Sequence, residues 1–204
     1  MVFRKWLSII TFVLLACNLS AQHVHSNASA VAEGNVFLQM MDTMMVKMAA
    51  VPVTKSATQT FFASMIPHHQ AALTMATYEI GHGKNFAMRQ LAKSILAEQQ
   101  VEIEEMKIWL QKEDLSNLST PAFEKNLVNS MEVMMQSLPA GKLSGQVDEA
   151  FARIMVPHHQ AAIDMARALI QNGTSAVAGS FASSLIAAQS IEIEQMLFYL
   201  SHLP

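Results

Sequence analysis

Met65-Ile-Pro-His-His-Gln-Ala-Ala-Leu-Thr-Met-Ala76 returns later in the chain as Met155-Val-Pro-His-His-Gln-Ala-Ala-Ile-Asp-Met-Ala166. Widened by four residues, Phe61–Ala76 and Phe151–Ala166 are identical at 10 of 16 positions. The offset of 90 aligns residues 37–110 with 127–200 without a gap. A second match pairs Ala97-Glu-Gln-Gln-Val-Glu-Ile-Glu-Glu-Met106 with Ala187-Ala-Gln-Ser-Ile-Glu-Ile-Glu-Gln-Met196, and a third sets Met41, Met44 and Met45 against Met131, Met134 and Met135. Self-similarity at a fixed long period means one structural unit written twice. Each unit has three blocks.

Every block has helical periodicity. Phe37, Met41, Met44, Met45 and Met48 recur at threes and fours, as do Ile95, Gln99, Ile103, Met106 and Leu110. Breaks fall at Val51-Pro52, Gly81-His82-Gly83, the polar stretch from Ser116 to Pro121, Pro139-Ala-Gly141 and Asn172-Gly173. Thr120 before Pro121 is an N-cap with proline at the first helical position. The pattern predicts an all-α fold of two tandem repeats of about three helices each, near 35–50, 56–80, 84–112, 121–137, 145–171 and 174–202. Short connections favour antiparallel neighbours and hence bundled helices. The first repeat is expected over 35–113, a linker over 114–120 and the second repeat over 121–204.

Composition narrows the function. The 204 residues are 51% hydrophobic and 14% charged, so the chain folds around a core. With 13 basic against 16 acidic residues there is no positive surplus for a phosphate backbone, and nucleic acid is not an expected partner. One cysteine permits neither an internal disulfide nor a Cys-rich metal site. What stands out is 16 Met beside 8 His.

The first residues read as an address. Arg4 and Lys5 precede an apolar run from Trp6 to Ala16, 11 residues long and too short to span a bilayer. Either residues 1–21 are a secretory signal cleaved before Gln22, or Leu14-Leu15-Ala16-Cys17 is a lipobox, 1–16 are removed and Cys17 is lipidated. By both routes the protein is exported, to the periplasm or to a lipid anchor on the envelope, and no later run is expected to enter the membrane. Residues 22–34 lack an apolar period and read as a lead in which His23 and His25 are either solvated or loose metal ligands.

The chemistry sits on the Pro-His-His helix. At about 100° per residue, with His68 at zero, Met65 lies near ~60°, His69 near ~100°, Ala72 near ~40° and Met75 near ~−20°. Two thioethers and two imidazoles share one flank, and the small side chains of Ala71, Ala72 and Ala76 let a second helix approach with its own donor. Met106 is the obvious donor, on a stripe with Gln99, Glu102 and Ile103. The second repeat supplies Met155, His158, His159, Met165, Gln189, Glu192 and Met196. Pro67 and Pro157 either start their helices or kink them, and a start at Pro67 takes Met65 off the face.

Thioether sulfur with imidazole nitrogen is a soft to borderline donor set that favours Cu(I), and Ag(I) with it, over Mg²⁺ or Ca²⁺. Outside the cytoplasm a thioether binds such ions without the oxidation to disulfide that a thiol risks. Methionine also fills irregular cores, so Met41, Met44, Met45, Met131, Met134 and Met135 read as packing or as weaker thioether positions. Glu102, Glu104, Glu192 and Glu194 read as supporting groups or solvated face, with Glu102 and Glu192 the two that stand nearest to ligation.

Met-x-Pro-His-His-Gln-x-Ala-x-x-Met-Ala, followed by Ala-x-x-Gln-x-x-Glu-Ile-x-x-Met-x-x-(Trp/Tyr)-Leu, resembles the bacterial family called domain of unknown function 305. The resemblance extends over both repeats. It implies ferritin-like helical bundles, one copy per repeat, and a likeness to secreted members that bind copper and support copper resistance. It implies metal roles for Met65, His68, His69, Met75 and Met106 and for Met155, His158, His159, Met165 and Met196. The second copy departs with Ala178-Gly179 where Met88-Arg89 stands and Tyr199 where Trp109 stands, which sets equal affinity of the two sites in doubt.

Rival chemistries lack their residues. A di-iron oxidase needs Glu-x-x-His on two helices, and only Glu79-Ile-Gly-His82 has that spacing. No His-Glu-x-x-His occurs, and one cysteine cannot make a c-type haem site. The expectation is a non-enzymatic envelope protein that sequesters or delivers Cu(I), with one principal Met/His site per repeat and an envelope copper transporter or acceptor as its protein partner. Membrane contact is expected only through Cys17. The competing reading is a metal-free helical module that binds a protein through a Met-rich surface.

Overall fold

The computed structural model describes residues 36–112, 117–140, 143 and 146–203. The leader, Cys17, His23 and His25, and part of the linker at 114–120 lie outside the described residues. Within them are six helices: α1 Val36–Ala49, α2 Ala57–His82, α3 Phe86–Lys112, α4 Pro121–Ser137, α5 Val147–Asn172 and α6 Ala176–Ser201. The all-α fold is as expected, and the helix limits follow local chemistry. Ser56 accepts from the Gln59 amide at 3.1 Å, Asn85 from Met88 at 3.1 Å, Thr120 from Phe123 at 3.2 Å and Ser175 from Ala178 at 3.2 Å. Each satisfies one of the amide donors that a helix start leaves open.

Helix α5 ends at Gly173 with φ 85°, a left-handed conformation that glycine adopts without strain. Helix α2 closes differently. Gly83 has φ −65°, and its N–H donates to the Glu79 carbonyl at 2.7 Å. A Cβ there would stand 2.7 Å from that carbonyl oxygen and run into the Glu79 carboxyl. Gly83→Ala is therefore expected to cost about 1–3 kcal/mol, the range for overpacking, measured by denaturant unfolding. A cost near zero means that the turn relaxes freely.

Pro67 and Pro157 lie inside their helices, so neither starts one. Each removes a single backbone donor and leaves the helix running on. Met65 and Met155 therefore keep their places on the flank of the His-His pair.

α2 and α5 pack against each other at the centre; α1 and α3 flank α2, and α4 and α6 flank α5. The contacts between the two repeats are reciprocal under the offset of 90. Thr58, at the start of α2, meets Thr174 in the turn after α5 at 3.4 Å. Their equivalents are Asp148 and Lys84, and Asp148 accepts from the Lys84 amide at 3.0 Å. An exchange of this kind defines an approximate twofold axis between α2 and α5, the geometry of a symmetric dimer built within one chain. The two repeats thus form one interlocked body.

Aromatic groups close both ends of the α2/α5 pair. Phe62 lies 5.4 Å from Trp109 and 5.7 Å from Phe181, ring centre to ring centre, at one end. Phe37 stands between Tyr78, at 5.4 Å, and Phe151, at 6.0 Å, towards the other. Between these plugs lie the histidines. By length and composition α6 could cross a membrane, which the sequence reading had not anticipated for any later segment. In this fold it buries Phe181, Leu185, Gln189 and Met196 in the bundle.

Candidate metal centre

All four Pro-His-His imidazoles are sealed in the core: His68, His69, His158 and His159 have no exposed surface. So do Met65, Met75, Met106, Met155, Met165 and Met196. The ten residues singled out by the two motifs therefore occupy one apolar interior, on α2 and α3 of the first repeat and α5 and α6 of the second. What the sequence could not show is how the two sets meet.

His68 and His158 face each other across the twofold axis, ring centres 3.8 Å apart and planes inclined by 32°. His158 Nε2 donates to the His68 carbonyl at 3.2 Å, which leaves its Nδ1 as a lone pair without a partner. Neither ring nitrogen of His68 has a hydrogen-bond partner. Burial, then the nearby His69 and His159 rings, holds His68 well below the ordinary histidine range. Burial does the same to His158, with His68, His159 and His69 adding to it. Both are neutral imidazoles, the form that binds metal.

His69 and His159 point outward to carboxylates of their own repeats. His69 Nε2 lies 2.8 Å from Glu102 Oε2 in hydrogen-bond geometry. His159 Nε2 stands at the same 2.8 Å from Glu192 Oε2, but out of line for a hydrogen bond. A carboxylate that holds Nε2–H fixes the tautomer and orients the ring, and it leaves Nδ1 free to donate electrons. His69 Nδ1 and His159 Nδ1 are both buried without a partner. Gln99 and Gln189, beside Glu102 and Glu192 in sequence order, also bury unpartnered amide oxygens.

Each unpartnered buried polar atom costs about 1–3 kcal/mol, and folded cores keep few of them. Among the described residues, most of them are on these histidines and glutamines. Among the described residues no three His, Cys, Asp or Glu side chains are grouped as a metal cage.

The sequence places one Met/His set in each repeat. The equivalent residues His68 and His158 are drawn to each other, so the innermost imidazoles belong to both repeats, while His69 with Glu102 and His159 with Glu192 remain separate. The α1 and α4 methionines sit elsewhere. Met41, Met44, Met131 and Met134 are buried, Met45 and Met135 half-buried. Met44 lines a groove of about 250 Å³ with Met40, Pro67 and Ala71, and Met134 lines its counterpart of about 550 Å³ with Pro157 and Ala161. No imidazole lines either groove.

Two features escaped the sequence reading. Glu98 stands one turn before Glu102 on α3, and burial, followed by the charges of Glu192 and Glu102, raises its pKa. That one-turn spacing was the available signal. Glu79 is fully buried near the α2 terminus, next to Asp148 of the second repeat. A lone glutamate following Ala72, Met75 and Ala76 at helical spacing was the signal there.

The fold and its core define a class, helical bundles with imidazole and thioether groups duplicated in the interior. Within it, the chain belongs to the family described as domain of unknown function DUF305, whose model matches residues 58–200 in a single span across both repeats. Among solved structures it is similar to CopM in the Ag-bound form, obtained by soaking, at 30% identity, over 74% of this chain and 100% of that one, with a TM-score of 0.56. CopM in the Cu(II)-bound form is similar at 27% identity, over 70% and 94% of the two chains, with a TM-score of 0.53. A DUF305 fragment from Deinococcus radiodurans shares the fold at 22% identity, over 74% and 100%, with a TM-score of 0.55. None of the curated proteins compared matches the chain.

Proposed function

We propose that this protein binds copper as Cu(I), and Ag(I) in its place, through the buried thioether and imidazole groups, and that it sequesters or delivers the ion in the cell envelope in support of copper homeostasis and resistance. One observation carries the reading: imidazole nitrogens sealed in the core without partners, on helices whose adjoining positions carry thioethers, twice over. The likeness to CopM supports it, since that protein has been solved with silver and with Cu(II). Imidazole accepts either copper oxidation state, whereas thioether sulfur selects the softer one. The protein acts as a carrier or store, without a catalytic step, and hands its ion to an envelope transporter or acceptor. The exported leader, cleaved or lipidated at Cys17, places it there.

Elemental analysis of protein purified from copper-supplemented and metal-free cultures tests this directly. At least one equivalent of copper is expected from the first, and its absence would falsify the proposal. In chelator competition, replacing His68, His69, His158 and His159 together by Ala is expected to weaken Cu(I) binding more than about tenfold, or 1.4 kcal/mol. Unchanged affinity removes the imidazoles from the site.

A further inference from the structure

The two joints between the repeats are equivalent by position and different in chemistry. At one, Thr58 meets Thr174 at 3.4 Å, and Asn117 Nδ2 donates to the Gly173 carbonyl at 2.9 Å. These are hydroxyl and amide contacts. At the other, two buried carboxyls close on the turn between α2 and α3. Asp148, at the start of α5, accepts from the Lys84 amide at 3.0 and 3.1 Å and from the Asn85 amide at 2.7 Å. Glu79, in the last turn of α2, lies against Gly83, where even a Cβ would collide with its carboxyl. Both acids are buried, and neither Glu79 oxygen has a hydrogen-bond partner. The same ends of α2 and α5 carry the plug in which Phe37 stands between Tyr78 and Phe151.

We infer that Glu79, Asp148 and the Gly83–Asn85 turn form a proton-operated latch at this joint alone, closed while the two carboxyls share a proton and opened locally when it leaves. Two acids buried against the same three residues cannot both carry charge cheaply. The amides of Lys84 and Asn85 settle the charge on Asp148, and Glu79, with no donor, keeps the proton. Loss of that proton sets like charges together, which pushes Asp148 off the turn and frees the Phe37 end of the core. The Phe62, Trp109 and Phe181 plug, beside the uncharged joint, stays shut. Burial and then Asp148 push the Glu79 pKa up to about 8, whereas in the opened turn it returns towards 4.5. Opening is therefore favoured as pH rises through that window and levels off above it. The neighbours do not reverse this sign. Arg89 of α3, whose Nε donates to the Ile80 carbonyl at 3.1 Å, opposes the rise without cancelling it. Glu149 of α5 is paired with Arg153 at 2.7 Å. Burial, then Asp148, Glu149 and Glu79, raises Tyr199 of α6, so it stays neutral. Lys84, His82 and His202 are exposed, as are Asp42 and Lys47, the charged residues of α1.

Hydrogen exchange of single amides in the full chain without metal, followed by NMR from pH 5 to pH 8 and divided by the intrinsic rate at each pH, tests the latch. Protection of the Lys84 and Asn85 amides is expected to fall more than about tenfold across that range. The amides of Ala57 and Gly173, bonded at 3.0 and 3.1 Å at the other joint, should change less than about twofold. Glu79→Gln and, separately, Asp148→Asn remove the repulsion and should flatten the fall at Lys84 and Asn85. Glu79→Leu, matching Leu169 at the equivalent position, gives the same flat profile by a second route. His82→Asn with His202→Asn should leave the fall as it is. An equal fall at both joints, a fall that persists in all three acid variants, or one that vanishes with the two histidines overturns the latch. No metal enters these readouts, so that result leaves the copper reading where it stands.

Discussion

Loading the full chain with Ag(I) at about a thousand times its dissociation constant raises its unfolding free energy by about 4 kcal/mol. The size follows from linkage: an ion that binds the folded chain and not the unfolded one stabilises it in proportion to the logarithm of its excess. The geometry makes the expectation specific. In the proposed site the ion would satisfy lone pairs at His68, His69, His158 and His159 that the free core leaves without partners. Met65, Met75, Met106, Met155, Met165 and Met196 all replaced by Leu keep the volume of the core, at less than about 1.5 kcal/mol each, and remove the thioethers that adjoin the histidine motifs. In that variant the Ag(I) increment should fall below about 1 kcal/mol, although the ion-free stability remains measurable. An undiminished increment means that these six thioethers do not hold the ion. Acid should displace the metal only at low pH. Burial holds His68 and His158 well below 6.5, so protons do not compete for them near neutrality.

How much of this could be read from the sequence depended on whether the information was local. Helix starts were legible because a cap is a local event: Thr120 before Pro121 says nothing about the rest of the fold and needs nothing from it. The faces were legible too, since Met65, His68, Ala72 and Met75 share a side of any helix that passes through them. Pro67 was ambiguous because a lost hydrogen bond is compatible with either a start or an interior position, and packing on both sides of α2 decides between them. The docking of one repeat on the other was not legible at all. An internal alignment shows that His68 and His158 are equivalent, and equivalence is silent about contact. Only when α2 and α5 cross near that residue does the duplication become a pair of rings 3.8 Å apart. Glu102 and Glu192 were half legible: their stripe put them near histidine, and the 2.8 Å distances now give them partners. Glu79 was lost because reading by repetition discards what is not repeated, and its equivalent is Leu169.

Glu79 carries the second large effect. Its carboxyl is fully buried, and neither oxygen is in strict hydrogen-bond geometry, yet Asp148 stands close enough to share a proton with it. Burial first, then Asp148, pushes its pKa up to about 8, against the opposing charge of Arg89. Asp148 moves the other way. Burial raises it, but the amides of Lys84, at 3.0 and 3.1 Å, and Asn85, at 2.7 Å, together with Glu79, hold it below its ordinary value. The pair thus carries one proton, on Glu79, and one charge, on Asp148, at neutral pH. The consequences for stability have opposite signs. Asp148 contributes above pH 3.8, where it is ionised in both states, and its contribution is lost as acid protonates it. For Glu79 the unfolded chain gives up its proton near 4.5 and the folded chain only near 8, so stability falls as pH rises across that window and levels off above it. Discounted for the water that reaches the α2–α3 turn, the fall is about 2 kcal/mol. Glu79→Gln keeps the shape and an amide donor towards Asp148 but has nothing to ionise. It should leave stability at pH 5 nearly unchanged, raise it by about 2 kcal/mol at pH 9, and flatten the profile between. Glu79→Leu, the residue already tolerated at the equivalent position 169, should flatten it as well. Urea midpoints at pH 5, 7 and 9, with constant m values, make the measurement. Parallel profiles for the wild type and both variants would show that Glu79 is ionised in the folded chain throughout, and the shared proton would then have no place at the joint between the repeats.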